Sequence, residues 1–440
     1  MLSRADNEKI CRVGPETPMG KALRRHWLPL MPAQRLEAAT EPLPVPLVGQ
    51  EFVLWKDASG QAGLFDLACL HRGASLRLAR AEDDGLRCIY HGWKFAVDGR
   101  VLDTPNVADP AFAARLRGRT YPLHEAGGLL WTYLGPRELA PEFPRWPWMD
   151  LPGSQRMVIP HVQDCNFVQI IEGLVDSSHL GILHTNGLRQ ATGSALNFAQ
   201  KVESMQRNLA PRLEAEETDF GFYYAALRDI DGGTGAARTE ARITAFVAPF
   251  TVLNPNGDIM SLLVPISDTR TAFYHVFWSD TQPINAEPLR SQHLRFVGLT
   301  SEALEGFGIS EAGIEAPDRP QPSNNFHQNR EAMHSGASFS GLPGLIEEDV
   351  AVAVSSGLLR DRSREVLCTA DVAIRKLYLA LLRVADGADL PEVPAIAVRS
   401  IAGIRAVLEN GGDWRALVQE MLELPRPRPV PHTNPIEETT

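Results

Sequence analysis

Cysteine is scarce in this chain, which has five cysteines among 440 residues. A sparse and odd-numbered set argues against the disulfide framework of a small secreted protein. The first residues contain no apolar segment of the kind that forms a signal peptide. No apolar run approaches the roughly 18 residues that a membrane-spanning helix needs. These absences predict a cytoplasmic protein without a membrane partner, whose thiols stay reduced and available to a metal.

Positive charge is also in deficit, since 43 Lys and Arg face 54 Asp and Glu and the net charge is -11. A chain this acidic is a poor general ligand for nucleic acid, so we expect no nucleic-acid partner. Hydrophobic residues make up 44% of the sequence and charged residues 22%, as in ordinary globular proteins. The length favours two or three domains, because domains of about 100–200 residues are usual.

Short strand patterns fill the first third of the chain. Residues 51–56 and 63–68 flank a polar turn and predict a hairpin. Asp98-Gly99 predicts a second hairpin, because both positions of a two-residue hairpin turn favour positive φ. The proline-rich stretch over 136–147 predicts a linker after these strands.

The sequence changes character after this linker. Hydrophobic periodicity predicts a helix over 166–184 and a long amphipathic helix over 371–386. The predicted strands of a larger sheet lie at 219–228, 242–254, 258–266 and 270–278. We therefore predict an α+β fold, with a small all-β domain at 27–145 and a larger domain at 146–440 that also includes residues 1–26.

Two cysteine–histidine pairs stand on turns within the predicted small domain. Cys69 and His71 form the first pair, and Cys88 and His91 form the second. Two thiolates and two imidazoles could hold structural zinc, although zinc sites usually place both cysteines together and both histidines together. A [2Fe-2S] centre with two histidines on one iron needs one cysteine and one histidine from each loop. The mixed loops favour the iron–sulfur interpretation.

The sequence around these pairs resembles the Rieske family. Residues 69–73 (Cys-Leu-His-Arg-Gly) and 88–93 (Cys-Ile-Tyr-His-Gly-Trp) match its signature C-x-H-R-G…C-x-Y-H-G-W. The resemblance implies a [2Fe-2S] cluster in which Cys69 and Cys88 bind one iron while His71 and His91 bind the other.

A second candidate metal site lies on the predicted helix over 166–184. His179 and His184 are five residues apart, so an undistorted helix would not aim both at one metal, and Gly181 is placed to permit a bulge or a break. Two histidines and a distant carboxylate form the triad that leaves positions open for oxygen on Fe(II). The alternative is a pair of ordinary buried histidines. The segment also resembles the iron-binding stretch D-x-x-H-x₄-H of Rieske oxygenases.

The third ligand is expected within an acidic run. Residues 340–351 resemble the stretch in which phthalate-dioxygenase-like members supply the carboxylate, which implies Asp349 as the ligand. Glu347 and Glu348 compete with it, and adjacent acids are otherwise often a solvated face. The family often has Gln-Asp at this point, whereas this chain has Glu348-Asp349.

Asp176 lies three residues before His179, so the two would share a helical face. The resemblance implies that Asp176 links His179 to His91 of a neighbouring subunit, and hence a homo-oligomer built from trimers. A carboxylate is a good acceptor for the second N–H of a metal-bound histidine. The alternative for Asp176 is a solvated position on the helix.

Several segments of the larger domain resemble the branch that includes phthalate and halobenzoate dioxygenases, which implies a helix-grip catalytic domain and an aromatic carboxylate as substrate. Arginine is the natural partner of a carboxylate. The candidates are Arg212, Arg228 and Arg242, although most arginines of a protein are ordinary surface residues.

These observations predict a terminal oxygenase that cis-dihydroxylates an aromatic carboxylate with O₂. No G-x-G-x-x-G nicotinamide fingerprint is visible, so NADH electrons should arrive through a separate flavin and iron–sulfur reductase. A Rieske monooxygenase or O-demethylase is the alternative enzyme. An electron carrier or a zinc-stabilised binding module is the alternative of a different class.

Overall fold

The computed structural model describes residues 2–187, 205, 208–230, 238–310, 313–387 and 397–423. Within this part of the chain, the strands form one eight-stranded sheet, two four-stranded sheets and one three-stranded sheet. The first eleven strands are β1 (Trp27–Pro32), β2 (Leu43–Leu47), β3 (Gln50–Lys56), β4 (Ala62–Asp66), β5 (Arg80–Glu82), β6 (Gly85–Arg87), β7 (Lys94–Phe95), β8 (Val101–Asp103), β9 (Thr120–Tyr121), β10 (Leu123–Ala126) and β11 (Leu129–Tyr133).

These eleven strands make the three small sheets, in the orders β2-β3-β4-β9, β5-β6-β7-β8 and β1-β11-β10. Both predicted hairpins are confirmed, since β3 pairs with β4 and β7 pairs with β8 in antiparallel register. Gly99 takes φ +88° in the second turn, a backbone conformation that side chains with a Cβ rarely adopt. Trp55, Phe65 and Phe95 form a small separate core that also contains Cys69 and Cys88.

The larger sheet comprises the remaining described strands. They are β12 (Arg156–Gln163), β13 (Arg212–Thr218), β14 (Gly221–Asp229), β15 (Arg238–Val247), β16 (Thr251–Leu253), β17 (Ile259–Ser267), β18 (Arg270–Trp278) and β19 (Ile404–Glu409). Their order is β12-β18-β17-β16-β15-β14-β13, with β19 paired to β15. The segment predicted as one strand over 242–254 contains two strands, β15 and β16, and strands β12, β13 and β19 were not predicted.

Helices pack against this sheet and around its ends. The described helices are α1 (Arg4–Cys11), α2 (Pro18–Leu23), α3 (Ala33–Glu37), α4 (Phe167–Leu174), α5 (Leu180–Leu183), α6 (Leu289–Val297), α7 (Ser301–Gly306), α8 (Arg330–His334), α9 (Leu345–Ser355), α10 (Val372–Ala385) and α11 (Trp414–Glu423). Helix α4 packs on β17 and on α9, while α10 packs on β13, β14, α1 and α2. The fold class is α+β, as predicted.

The prediction of one helix over 166–184 is wrong in one respect, because this segment contains two helices. Helix α4 ends at Leu174, and α5 begins at Leu180. The intervening Asp176 accepts hydrogen bonds from the backbone N–H of Ser178 at 2.7 Å and from its hydroxyl at 2.6 Å. Such a local side-chain turn competes with helical hydrogen bonding. Asp176 and His179 therefore do not share a helical face.

The expected helix end between His179 and His184 is present, because α5 ends at Leu183 and His184 is its C-cap residue, but Gly181 itself lies inside α5. Its role is close packing: a Cβ added there would come within 2.2 Å of the Met205 carbonyl oxygen.

The division of the chain at residue 145 stays a prediction. The main hydrophobic core contains Ile10 and Leu23 of the N-terminal helices and Leu64 of β4, together with the residues of the large sheet. No helix in the described part of the chain combines the length and the apolarity that crossing a membrane requires.

Candidate metal centres

The two cysteine–histidine loops have the same backbone conformation. Each cysteine carbonyl accepts the N–H of the glycine four residues later, from Gly73 to Cys69 at 2.9 Å and from Gly92 to Cys88 at 3.0 Å. Each cysteine N–H donates at 2.8 Å to the carbonyl five residues later. Both glycines have positive φ, at +70° and +77°. The two loops therefore present their cysteines in the same way, although His71 is two residues after its cysteine and His91 is three residues after its own.

The cysteines lie inside these loops and the histidines lie at the tip. Cys69 and Cys88 are buried free thiols, whereas His71 and His91 are half-buried, with ring centroids 4.5 Å apart. Burial raises the pKa of the Cys69 thiol to about 11, and Cys88 adds to this effect. His71 Nδ1 is enclosed and has no hydrogen-bond partner in the described part of the chain. Paired thiols inside and paired imidazoles outside fit the two irons of a Rieske cluster.

The second set of candidate metal ligands comes from the two ends of α5 and from α9. His179 and His184 flank α5, and Asp349 projects from α9. Asp349 Oδ1 lies 3.1 Å from His184 Nε2 and 3.7 Å from His179 Nε2. One donor atom from each of the three residues lies within 4.8 Å of the others. The predicted triad is thus brought together, and two imidazoles with one carboxylate fit Fe(II) with open coordination positions.

The other ring nitrogen of each histidine contacts a second carboxylate. His179 Nδ1 lies 3.3 Å from Asp176 Oδ2, and His184 Nδ1 lies 2.7 Å from Glu348 Oε2. A carboxylate acceptor places the proton on Nδ1 and leaves the Nε2 lone pair for a metal. Both histidines are therefore oriented with Nε2 towards one candidate ion position.

The electrostatics of this set also favour a cation. Burial opposes protonation of His184, but Asp349 and Glu348 outweigh it and raise the pKa of His184 to about 10. Burial likewise opposes ionisation of Asp349, yet the two histidines hold the pKa of Asp349 below its usual value. A proton on His184 takes the place of the positive charge that a divalent metal would supply.

The three acidic residues at 347–349 lie at different positions relative to the candidate iron site. Asp349 faces the two histidines, and Glu348 orients His184 from behind. Glu347 is buried away from the triad, with Oε2 lacking a partner in the described residues. The contact of Glu348 was missed from sequence, although its position beside Asp349 was a usable signal.

Two cavities meet at the triad. The larger, of about 440 Å³, lies between β12 and β18 on one side and α4 and α9 on the other. The smaller, of about 90 Å³, lies towards β14 and β15. Their five shared lining residues are Gly173, Leu174, Asp176, His179 and Asp349.

The three candidate arginines lie in different environments. Arg212 is exposed, pairs with Glu214 and lines neither cavity. Arg228 is buried and donates to the Ser177 carbonyl at 2.9 Å, so it supports the turn after α4. Arg242 lines the smaller cavity. Sequence alone could not rank these arginines, because each lies in a similar strand pattern.

Known protein families match both parts of the chain. The Rieske [2Fe-2S] domain family matches residues 26–122, and the family described as LigXa C-terminal domain like matches residues 132–428. The chain is 35% identical over 437 residues to the phthalate 4,5-dioxygenase oxygenase subunit of Pseudomonas putida, covering 94% of each chain. The chain belongs to the Rieske oxygenases, as an oxygenase subunit.

Two further relatives agree with this assignment. The 5,5'-dehydrodivanillate O-demethylase oxygenase subunit of a Sphingobium strain is 36% identical over 295 residues, or 66% of this chain and 65% of that protein. The terminal oxygenase of carbazole 1,9a-dioxygenase from Nocardioides aromaticivorans shares the fold, with a TM-score of 0.51 at 15% identity over 87% of this chain and 97% of that chain.

This Rieske oxygenase is an oxidoreductase whose cofactors are a [2Fe-2S] cluster and a mononuclear iron, and its two donor sets fit both groups. The alternatives of an electron carrier and of a zinc-stabilised binding module are therefore wrong.

Glu348→Leu tests the orienting contact. Without its carboxylate acceptor the His184 ring loses its fixed tautomer and orientation, so we expect Fe(II) affinity at the triad to fall about 10–100-fold. The measurement is Fe(II) titration of protein freed of mononuclear iron, with the cluster absorbance as an internal reference. Glu347→Leu makes the same change one residue away and should leave the affinity near wild type; equal losses would contradict the assignment.

Proposed function

We propose that this Rieske oxygenase adds both atoms of O₂ to the ring of an aromatic carboxylate such as a benzoate or phthalate. Residues His179, His184 and Asp349 hold the iron, and Cys69, His71, Cys88 and His91 hold the cluster. The observation that carries the proposal is the position of Arg242, an unpaired buried cation in a cavity that opens on the triad. When bound, the iron supplies the reduced centre at which oxygen is activated.

Arg242 is suited to receive the substrate carboxylate. It is buried, and its Nε and Nη1 groups have no hydrogen-bond partner in the described part of the chain. Burial lowers the pKa of Arg242 only to about 10, so it remains a cation at neutral pH. Its remaining donor contacts the neutral side chain of Asn256. The Glu240 carboxylate acts on Arg242 electrostatically but is itself ion-paired with Arg405. An anionic ligand would therefore relieve part of the cost of burying this cation.

The larger cavity provides room for the ring. Phe273, Ile346 and Val352 supply apolar surface beside Asp349. A cavity of about 440 Å³ is in the range of small-molecule sites. A carboxylate bound at Arg242 would lie in the smaller cavity. The ring of the substrate would then extend into the larger cavity. These side chains give the ring an apolar surface to pack against.

Electrons reach the triad from a neighbouring copy of the chain in this proposal. Asp176 contacts His179 and provides the hydrogen-bonded link towards His91 of that copy. The exposed tips of the cluster loops support such a contact, since Leu70, Ile89 and Tyr90 surround the histidines and are about half exposed. Clustered exposed apolar side chains mark protein contacts. The assembly would be a homotrimer or stacked trimers.

The electron source would be a separate NADH-dependent reductase or ferredoxin. The sequence has no nicotinamide fingerprint, and the curated relatives are described as oxygenase subunits. A carbazole 1,9a-dioxygenase oxygenase has been solved in complex with a ferredoxin, and its fold matches this chain with a TM-score of 0.51 at 16% identity.

Single-turnover labelling tests the reaction. The holoenzyme is reduced with dithionite, freed of reductant and exposed to ¹⁸O₂ with benzoate, the three hydroxybenzoates and the three benzenedicarboxylates. We expect one acid to yield a product carrying two labelled oxygen atoms, measured by mass spectrometry. No labelled product from any acid would contradict the proposed substrate class.

Monooxygenation or O-demethylation is the second candidate, favoured by the 36% identity to an O-demethylase oxygenase subunit. The same experiment with methoxybenzoates distinguishes it, because a single labelled atom in the product would select this outcome over dioxygenation.

Asp176→Asn tests the link between subunits. The amide keeps the shape of the side chain but is a weaker acceptor for a histidine N–H, so we expect both metals to remain while oxidation of the reduced cluster by O₂ and substrate slows about 10–100-fold. Stopped-flow absorbance of the cluster measures this rate. Asp229→Asn makes the same change at an exposed acid that lines neither cavity and should behave as wild type. A normal rate in Asp176→Asn would rule out the link.

A further inference from the structure

His275 lies on the sheet side of the larger cavity. The residue belongs to β18, lines the cavity and is only 6% exposed. Its Nε2 is enclosed and has no hydrogen-bond partner among the described residues. Buried polar groups of native proteins are almost always hydrogen-bonded. This imidazole therefore has unused hydrogen-bonding capacity in the cavity proposed to hold the substrate ring.

Neighbouring rings fix the orientation of His275. Its ring stacks on Phe273 with centroids 3.7 Å apart at 15°, and on His161 at 5.0 Å and 29°. Burial, with a further contribution from His161, holds the pKa of His275 well below its usual value. The ring is thus a neutral imidazole with one N–H donor and one acceptor. Gln163 cannot serve the same purpose so readily, because its amide lies 2.8 Å from His161 Nε2.

The charges around the larger cavity disfavour a second anionic group. Its described lining includes the carboxylates of Glu172, Asp349 and Asp371. Arg360 is the one arginine among these described lining residues, and it is already paired with Glu172 at 3.1 Å and with Glu365. Apart from the candidate iron, an anion here would meet these carboxylates and no free cation among the described lining residues, in contrast to the smaller cavity with Arg242.

We propose that His275 is a specificity-determining residue that hydrogen-bonds a neutral oxygen substituent, a hydroxyl or methoxy group, on the ring of the aromatic acid. The inference rests on the proposed function, with the carboxylate at Arg242 and the ring in the larger cavity. It selects hydroxylated or methoxylated benzoates as the substrate class over benzenedicarboxylates.

Matched ligand pairs test this contact on the oxidised holoenzyme. Isothermal calorimetry gives Kd for the three hydroxybenzoates, each compared with the methylbenzoate of the same substitution pattern. A hydroxyl that finds a partner is preferred over a methyl group of similar size, whereas an apolar wall favours the methyl group. We expect wild type to bind one hydroxybenzoate about tenfold more tightly than its methyl counterpart.

His275→Phe should remove this preference. The ring shape is kept, so methylbenzoate affinity should stay near wild type, while the hydroxyl preference falls to about twofold or less. His293→Phe is the matched control, since His293 is also buried against Phe277 but does not line the cavity; this variant should keep the preference. A preference that is absent from wild type, or that survives in His275→Phe, overturns the role of His275.

Arg242→Gln separates this inference from the proposed function. This substitution should lower the affinity for the hydroxybenzoate and the methylbenzoate of each pair equally, because both ligands carry the carboxylate. If it weakens neither, or if no benzoate binds wild type, the proposed carboxylate site fails and the placement of the ring fails with it. Benzoate binding that depends on Arg242 but not on His275 overturns the inference alone.

Discussion

Each candidate iron-binding histidine is held from behind by a carboxylate, and the geometry of the site depends on these two hydrogen bonds. Asp176 accepts from His179 and Glu348 accepts from His184, so both Nε2 atoms are free to face Asp349. The contacts come from different parts of the chain, a turn between two helices and the first turn of α9. The packing of α9 on α4 therefore assembles the metal site.

The same arrangement explains how an acidic chain can recognise an acid. Asp176, Glu348 and Asp349 contact the two histidines, while Arg242 lines the smaller cavity and has two nitrogens without a hydrogen-bond partner among the described residues. Opposite local charges thus lie on two sides of the iron ligands. The net charge of the chain is a sum over all of its residues. The substrate would instead experience the local electrostatic potential of the cavity.

Local motifs were predictable from sequence, and long-range contacts were not. The cluster loops were found because each places Cys and His on one short turn, and the hairpin at Asp98-Gly99 because its turn chemistry is local. The break after α4 was misplaced, since the side-chain turn of Asp176 overrides helical periodicity. The distinct environments of Arg242 and His275 depend on strand pairing and helix packing, which no spacing in the sequence encodes.

The most direct test of two metal sites in one chain is metal and acid-labile sulfide analysis of anaerobically purified protein, with EPR of the dithionite-reduced sample. The account predicts about three irons and two sulfides per chain, with the anisotropic signal of a histidine-ligated [2Fe-2S] centre. Zinc in place of iron, without sulfide, would contradict it.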